Sequence, residues 1–231
     1  MATDLTRLRR GAAWLRLMRS PAAASVAGAS QGRLRRWLAT PRNVLALGVC
    51  ALALSLAGSA GWIHAKAMLA QTLLQNAWTQ TLQNGKPHAP WPGADTTPVA
   101  RLRVAARDID QIVLSGDSGR TLAFGPGWAQ ASASPGAAGT VVVSGHRDTH
   151  FAFLRDLQPG DAIELQGTHG SVSYRVVDTR VADVRHERLA IDGHRDELWL
   201  VTCWPFDAVT AGGPLRYAVR TVRVDNVALA H

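Results

Sequence analysis

Three side chains in this sequence could together attack a carbonyl carbon: the Cys203 thiol, the His146 imidazole and the Arg216 guanidinium. Thiolate is accessible near neutral pH, and histidine is the usual partner of a cysteine nucleophile, taking its proton and returning it to the amine that leaves. An arginine beside a thiol favours the thiolate, and its fork of donors can hold an oxyanion or a peptide carbonyl. Each residue taken singly also has an ordinary reading, as a buried small thiol, a surface histidine or a solvated strand arginine.

Their spacing calls for particular elements. Cys203 closes the apolar run Leu198–Cys203, because Trp204-Pro205 stops a strand by withholding a ladder donor. The loop WPFDAVTAGGP leads into LRYAVRTVRV, which alternates as the next strand, Leu215–Val224. Consecutive strands joined by such a loop are most simply antiparallel neighbours, which brings Arg216, thirteen positions on, beside Cys203. His146 follows TVVVSG, where three valines mark a buried strand and Gly145 permits a sharp exit that presents the histidine at the rim of the scaffold. His146, Asp148 and His150 would line up as metal ligands if a strand ran on through HRDTHF, but the preceding glycine and the want of a fourth ligand make this the weaker reading. No nucleophile elbow of the G-x-S-x-G kind, P-loop or dinucleotide fingerprint occurs, so no cofactor is expected.

The scaffold reads as β-rich from Val99 onward. Expected strands are Arg101–Val104, Gln111–Leu114, Thr121–Phe124, Thr140–Ser144, Ala162–Gln166, Val172–Val177, Arg180–Val184, Leu198–Cys203 and Leu215–Val224, with helical turns at Phe151–Leu157 and Arg185–Ile191. Short strands with close Gly, Asp and Pro punctuation suit a barrel or sandwich.

The other end of the chain is different in kind. Residues 1–42 hold nine arginines and one acid, Asp4, which accounts for the whole net charge of +8 and leaves the rest of the chain neutral. A neutral folded part argues against a nucleic-acid partner, which needs positive charge on a folded face. Val44 to Ile63 is free of charges and long enough to cross a ~30 Å hydrocarbon core, with Trp37 and Trp62 at its flanks. The positive-inside rule then puts the basic tail, residues 1–43, in the cytoplasm and the remainder outside, with the tail drawn to anionic lipid. A cleaved signal peptide is the rival reading, on the strength of Ala65-Lys66-Ala67, but the apolar run is longer than the usual ~7–15 residues. Residues 64–98 are expected to form a helical stalk, with a stripe of Met68, Leu69, Thr72, Leu73 and Trp78, and then a Pro-rich linker to a domain spanning residues 99–231. Cys50 falls inside the apolar segment, so Cys203 has no disulfide partner outside the membrane, and burial or catalysis remains.

Taken jointly, SGHRDTHF around His146, LVTCWPF around Cys203 and LRYAVR around Arg216 resemble the sortase family, and PWPGADTTPVARLRV is similar to the Pro-Trp-rich lead segment of its Gram-negative (class GN) members. The resemblance implies an all-β fold, a closed eight-stranded barrel with one or two short helices behind an N-terminal transmembrane helix, anchored in the inner membrane with its catalytic domain in the periplasm. It also implies a cysteine transpeptidase that cleaves a C-terminal sorting signal, Leu-Pro-x-Thr-Gly-like, of a secreted protein and passes the acyl group to an amine acceptor. Cys203 would be the nucleophile, His146 the acid for the leaving amine and Arg216 the oxyanion or backbone clamp, with Thr202 helping to bind the acyl oxygen. No metal takes part in the family's chemistry. A cysteine hydrolase using the same three residues, and a non-catalytic interaction domain with Cys203 buried, are the alternatives.

Overall fold

In the computed structural model, which describes Trp37 and residues 40–188, 191–210 and 212–224, alternating burial along the strands closes them into a barrel. The strands are β1 (Pro98–Val104), β2 (Ile109–Ser115), β3 (Gly127–Trp128), β4 (Val141–Ser144), β5 (Ala162–Gly167), β6 (Gly170–Asp183), β7 (Glu197–Cys203) and β8 (Leu215–Val224), ordered β1-β2-β3-β4-β7-β8-β6-β5 around the closed sheet. β1 shows the rule: Ala100, Leu102 and Val104 point inward and are buried, while Arg101 and Arg103 point out to Asp110 and Glu164. Leu198 and Leu200 of β7, Val141 and Val143 of β4 and Val219 of β8 fill the interior with them. Phe151, Phe153, Leu154 and Leu157, on and around a 3-10 turn at Ala152–Asp156, complete this core. The barrel has no open edge, which removes the row of unpaired backbone groups an open sheet would expose.

Three of the expectations change. Thr121–Phe124 is not a strand: Ser118 caps a single helical turn, α2 (Gly119–Leu122), by accepting a hydrogen bond from the Thr121 amide. The parallel partner of β2 is instead the two-residue β3, too short to carry a periodic signal. Val172–Val177 and Arg180–Val184 are one strand, β6, whose register against β8 shifts between Val176 and Asp178 and so disturbs the alternation that would have joined them. Residues 184–186 form a turn and no helix occurs among the described residues of 185–191.

The chain divides into two units, at Ile63 and His64. In the first, the apolar half of α1 (Pro41–Asn84) has the length and composition to cross a membrane, and its large side chains are exposed, Leu54 to 74%. In the second, the rest of α1 packs on the barrel rather than standing off it as a stalk. Leu74, Ala77, Trp78 and Thr81 are buried, an i, i+3, i+4, i+7 stripe, while Met68 and Leu69 of the expected stripe face outward. Leu74 and Trp78 cover Ile112 and Leu114 on the outer face of β2, and Trp91 packs on Phe124 with ring centroids 5.0 Å apart.

Candidate active site

β7 and β8 are antiparallel, with Cys203 directly opposite Arg216 and Thr202 opposite Tyr217. Because facing residues share a side of the sheet, Cys203 and Arg216 project together from the outer face, and the next ladder bond, from the Trp204 amide to the Leu215 carbonyl at 3.0 Å, carries the pairing past the cysteine. Cys203 is partly buried. The Arg216 guanidinium donates to the Gly213 and Leu215 carbonyls at 2.7 and 2.9 Å through Nη1, which anchors the side chain to the loop that delivers it.

His146 arrives by a longer route. β4 and β7 run parallel, with Ser144 beside Val201, so both strands end at the same rim of the barrel. Beyond the last ladder pair the two ends stay tied: the Gly145 amide donates to the Val201 carbonyl at 3.0 Å, and Thr202 Oγ1 donates to the Gly145 carbonyl at 2.7 Å. His146 follows Gly145 just beyond the end of β4, as Cys203 follows Thr202 at the end of β7. Its carbonyl accepts from the Thr149 and Phe151 amides, which folds the chain into a turn and leaves the imidazole exposed. This turn also ends the strand that three metal ligands would have required; no group of three His, Cys, Asp or Glu side chains converges among the described residues. Asp148 pairs with Arg147 instead, at 3.2 Å.

Gly145 is required for closeness and not for a left-handed turn. A Cβ there would lie 2.6 Å from the Phe151 ring, which is fully buried against it. Gly145→Ala is expected to cost about 1–3 kcal/mol and to displace His146, read as a lowered urea midpoint with reduced activity. Thr202 lies on the inner face, 2% exposed, with its hydroxyl committed to Gly145. Thr202→Val is expected to lose about 1 kcal/mol or more, because it leaves a buried carbonyl without its donor.

A residue with no signal in the sequence pattern joins the two halves of the site. Arg147, 6% exposed, turns inward as His146 turns outward. Its Nη1 donates to the Pro205 carbonyl at 2.7 Å, and its Nη2 to the carbonyls of Ala208 and Thr210, the latter at 3.4 Å. One guanidinium thus holds the loop that follows Cys203 against the segment that presents His146. Trp204 stacks on Tyr217 with centroids 5.5 Å apart, and Phe206 meets both rings edge-on, so the same loop is also fixed from the β8 side. An arginine next to a histidine in a polar loop reads as a surface residue; only its three carbonyl partners, which carry no side-chain identity, show otherwise.

His150 is partly buried beside His146. Burial first, and repulsion by His146 second, hold its imidazole below the usual histidine range. A histidine kept neutral in the fold contributes stability that is present above its unfolded value of about 6.5 and is lost as pH falls through the folded one. His150→Gln is therefore expected to flatten the acid limb of Tm against pH, measured by calorimetry.

Residues 102–224 match the family model of the sortase domain. Sortase D of Bacillus subtilis is 34% identical over 113 residues, 48% of this chain and 57% of that protein, so the match spans little more than half of the relative's length. Among solved structures, a Clostridium perfringens sortase D5 transpeptidase superposes with a TM-score of 0.56 at 16% identity, covering 68% of this chain and 99% of the other. Sortase A from Corynebacterium diphtheriae gives 0.51 at 23%, covering 68% and 84%. At such identities these two speak for the fold, and the match of the family model across more than half the chain speaks for descent: the chain belongs to the sortase family.

Proposed function

We propose that this protein is a membrane-anchored cysteine transpeptidase acting on a C-terminal sorting signal of a secreted protein. The observation that carries the reading is the register of Cys203 opposite Arg216 at the rim where His146 leaves β4. In the proposed reaction the Cys203 sulfur attacks the scissile carbonyl, and the C–O π electrons collapse onto the oxygen, where the Arg216 donors meet the developing charge. The C–N bond then breaks, His146 gives its proton to the departing amine, and a thioacyl enzyme remains. An acceptor amine adds to the thioester, gives a proton to the His146 imidazole and expels the Cys203 thiolate as the amide forms, restoring the enzyme. Thr202, its side chain turned inward, would assist at the acyl oxygen through its backbone.

The signal is proposed to be Leu-Pro-x-Thr-Gly-like, by analogy with the family. The narrower class GN assignment rests on the Pro-Trp segment before β1, whereas the relatives named above are sortases of types A and D. The basic tail and the apolar half of α1 support a single-pass anchor in the inner membrane, with the tail cytoplasmic and the barrel periplasmic. Hydrolysis is the second reading, favoured by the exposure of His146, which leaves water free to compete for the thioester.

The test is incubation of the protein with a fluorescent Leu-Pro-Ala-Thr-Gly peptide, followed by intact mass spectrometry, with and without a glycine or lysine amine. An acyl adduct on Cys203 and an amine-dependent product are expected. Product that forms only by hydrolysis at every amine concentration would count against transpeptidation, and no adduct with any peptide of a sorting-signal library would count against the enzyme reading.

A further inference from the structure

The outer face that carries Cys203 continues away from it as a trough. Register places Val201, Ala218 and Arg180 side by side, then Trp199, Arg220 and Asp178, on β7, β8 and β6. Two adjoining hollows of about 300 and 320 Å³ lie along this face and share Arg180; Arg216 lines the nearer one, Trp199 and Arg220 the farther. The floor at Trp199 is fixed. Its ring is buried, and its Nε1 donates to Glu197 at 2.8 Å.

In the farther hollow every charged side chain but Arg180 has a charged partner, and in the nearer one Glu187, among the described residues, accepts only from the Asp183 amide, at 3.5 Å. Arg220 donates to both Asp178 and Glu197, Arg195 pairs with Asp192, and hydrogen bonds from Arg185 hold the Asp183 carboxyl down at about 2, so that it stays ionised and spoken for. The Arg180 guanidinium sits over the Trp199 ring at 5.0 Å and, among the described residues, makes no ion pair or hydrogen bond. A cation over a ring face spends none of its N–H donors, so the full fork remains available to a ligand.

We infer that Arg180, seated on Trp199, is a specificity-determining residue that takes a carboxylate of the substrate peptide, upstream of the recognised motif. This rests on the acyl-transfer reading of Cys203, and the direction follows from it. The departing amine lies toward His146, on the β4 side of Cys203, so the retained acyl chain leads the other way, over β8 and β6. Trp199 is four residues from Cys203, ~13 Å along β7, which an extended peptide covers in about four residues. The carboxylate therefore belongs to an Asp or Glu about five or six residues before the scissile bond, just ahead of the Leu of the motif.

The test uses the full-length protein with Cys203→Ala, so that binding is read without turnover, and a Leu-Pro-x-Thr-Gly positional series in which Asp, Asn or Lys occupies each upstream position in turn. Fluorescence anisotropy at low salt is expected to show tighter binding for Asp at one or two adjacent positions, about threefold to fivefold over Asn, as one partly screened ion pair provides. Arg180→Gln in the same background should erase that preference, and Arg180→Glu should transfer it to Lys. Absence of any preference, a preference for Asp at every position alike, or one that survives Arg180→Gln would overturn the inference. In wild-type protein the preference should enter KM with kcat unchanged. Position-specific binding without any turnover would keep the subsite and reject transpeptidation; turnover without preference would do the reverse.

Discussion

Cys203→Ala is expected to eliminate the thioacyl adduct and to lower turnover of a sorting-signal peptide by at least about 10⁴-fold, since the covalent route is lost and only binding remains. The fold should be untouched. Cys203 is a partly buried strand-end residue whose thiol fills no closed cavity, so stability should move by no more than about 0.5 kcal/mol. Cys203→Ser separates nucleophilicity from shape: the hydroxyl fits, but it lacks an ionised form near neutral pH, and turnover should remain close to that of the alanine variant. His146→Gln would remove the proposed acid for the leaving amine and should cost about 10²–10⁴-fold. Thiol alkylation followed by mass spectrometry gives an independent reading, because a nucleophile at an open rim reacts and a core thiol does not. Full activity of Cys203→Ala would falsify the enzymatic reading.

Arg147→Met is expected to have the largest effect on the architecture of the site. The side chain is buried, and it satisfies carbonyls of Pro205, Ala208 and Thr210 that would otherwise face a thioether. Allowing for partial recovery of those carbonyls by water, the loss should be about 2–3 kcal/mol, which lowers Tm by roughly 5–10 °C in a domain of this size. The damage should also be local. Limited proteolysis is expected to open the chain first within residues 205–213, the loop that Arg147 holds, while the barrel strands stay protected. Arg147→Lys keeps the charge but offers a point donor in place of a fork, so it should restore stability only in part. If Arg147→Met unfolds the whole barrel in one step with no early cleavage of the loop, Arg147 supports the core at large and has no special hold on the cysteine loop.

Much of the site was legible because its grammar is local. Trp204-Pro205 ends a strand for a reason that any sequence displays, and the loop to Leu215 is short enough that antiparallel pairing of β7 with β8 follows from chain connectivity. Arg216 could thus be set beside Cys203 before any fold was known. Where local rules failed, the cause was a weak period. β3 has two residues and no alternation to detect, and the register shift in β6 split one strand into two apparent ones. The helical stripe after His64 was drawn through Met68 and Leu69, which are exposed, because an apolar segment without a charged face offers no phase for the period until a surface is there to receive it.

Composition and order along the chain were enough to mark a candidate membrane span, to place Cys50 inside it and to propose three residues for a site. Folding decided whether those residues meet. His146 lies 57 positions from Cys203, and what joins them is the parallel pairing of β4 with β7, which brings two strand ends to one rim through a crossover that neither strand encodes. Arg147 was decided the same way, since its partners are backbone carbonyls of a distant loop. Arg180 acquires its meaning only where β6, β8 and β7 lie side by side and Asp178 and Glu197 are already held by Arg220. Long-range pairing trades chain entropy against contacts distributed over the whole barrel, and no short stretch of sequence carries that balance.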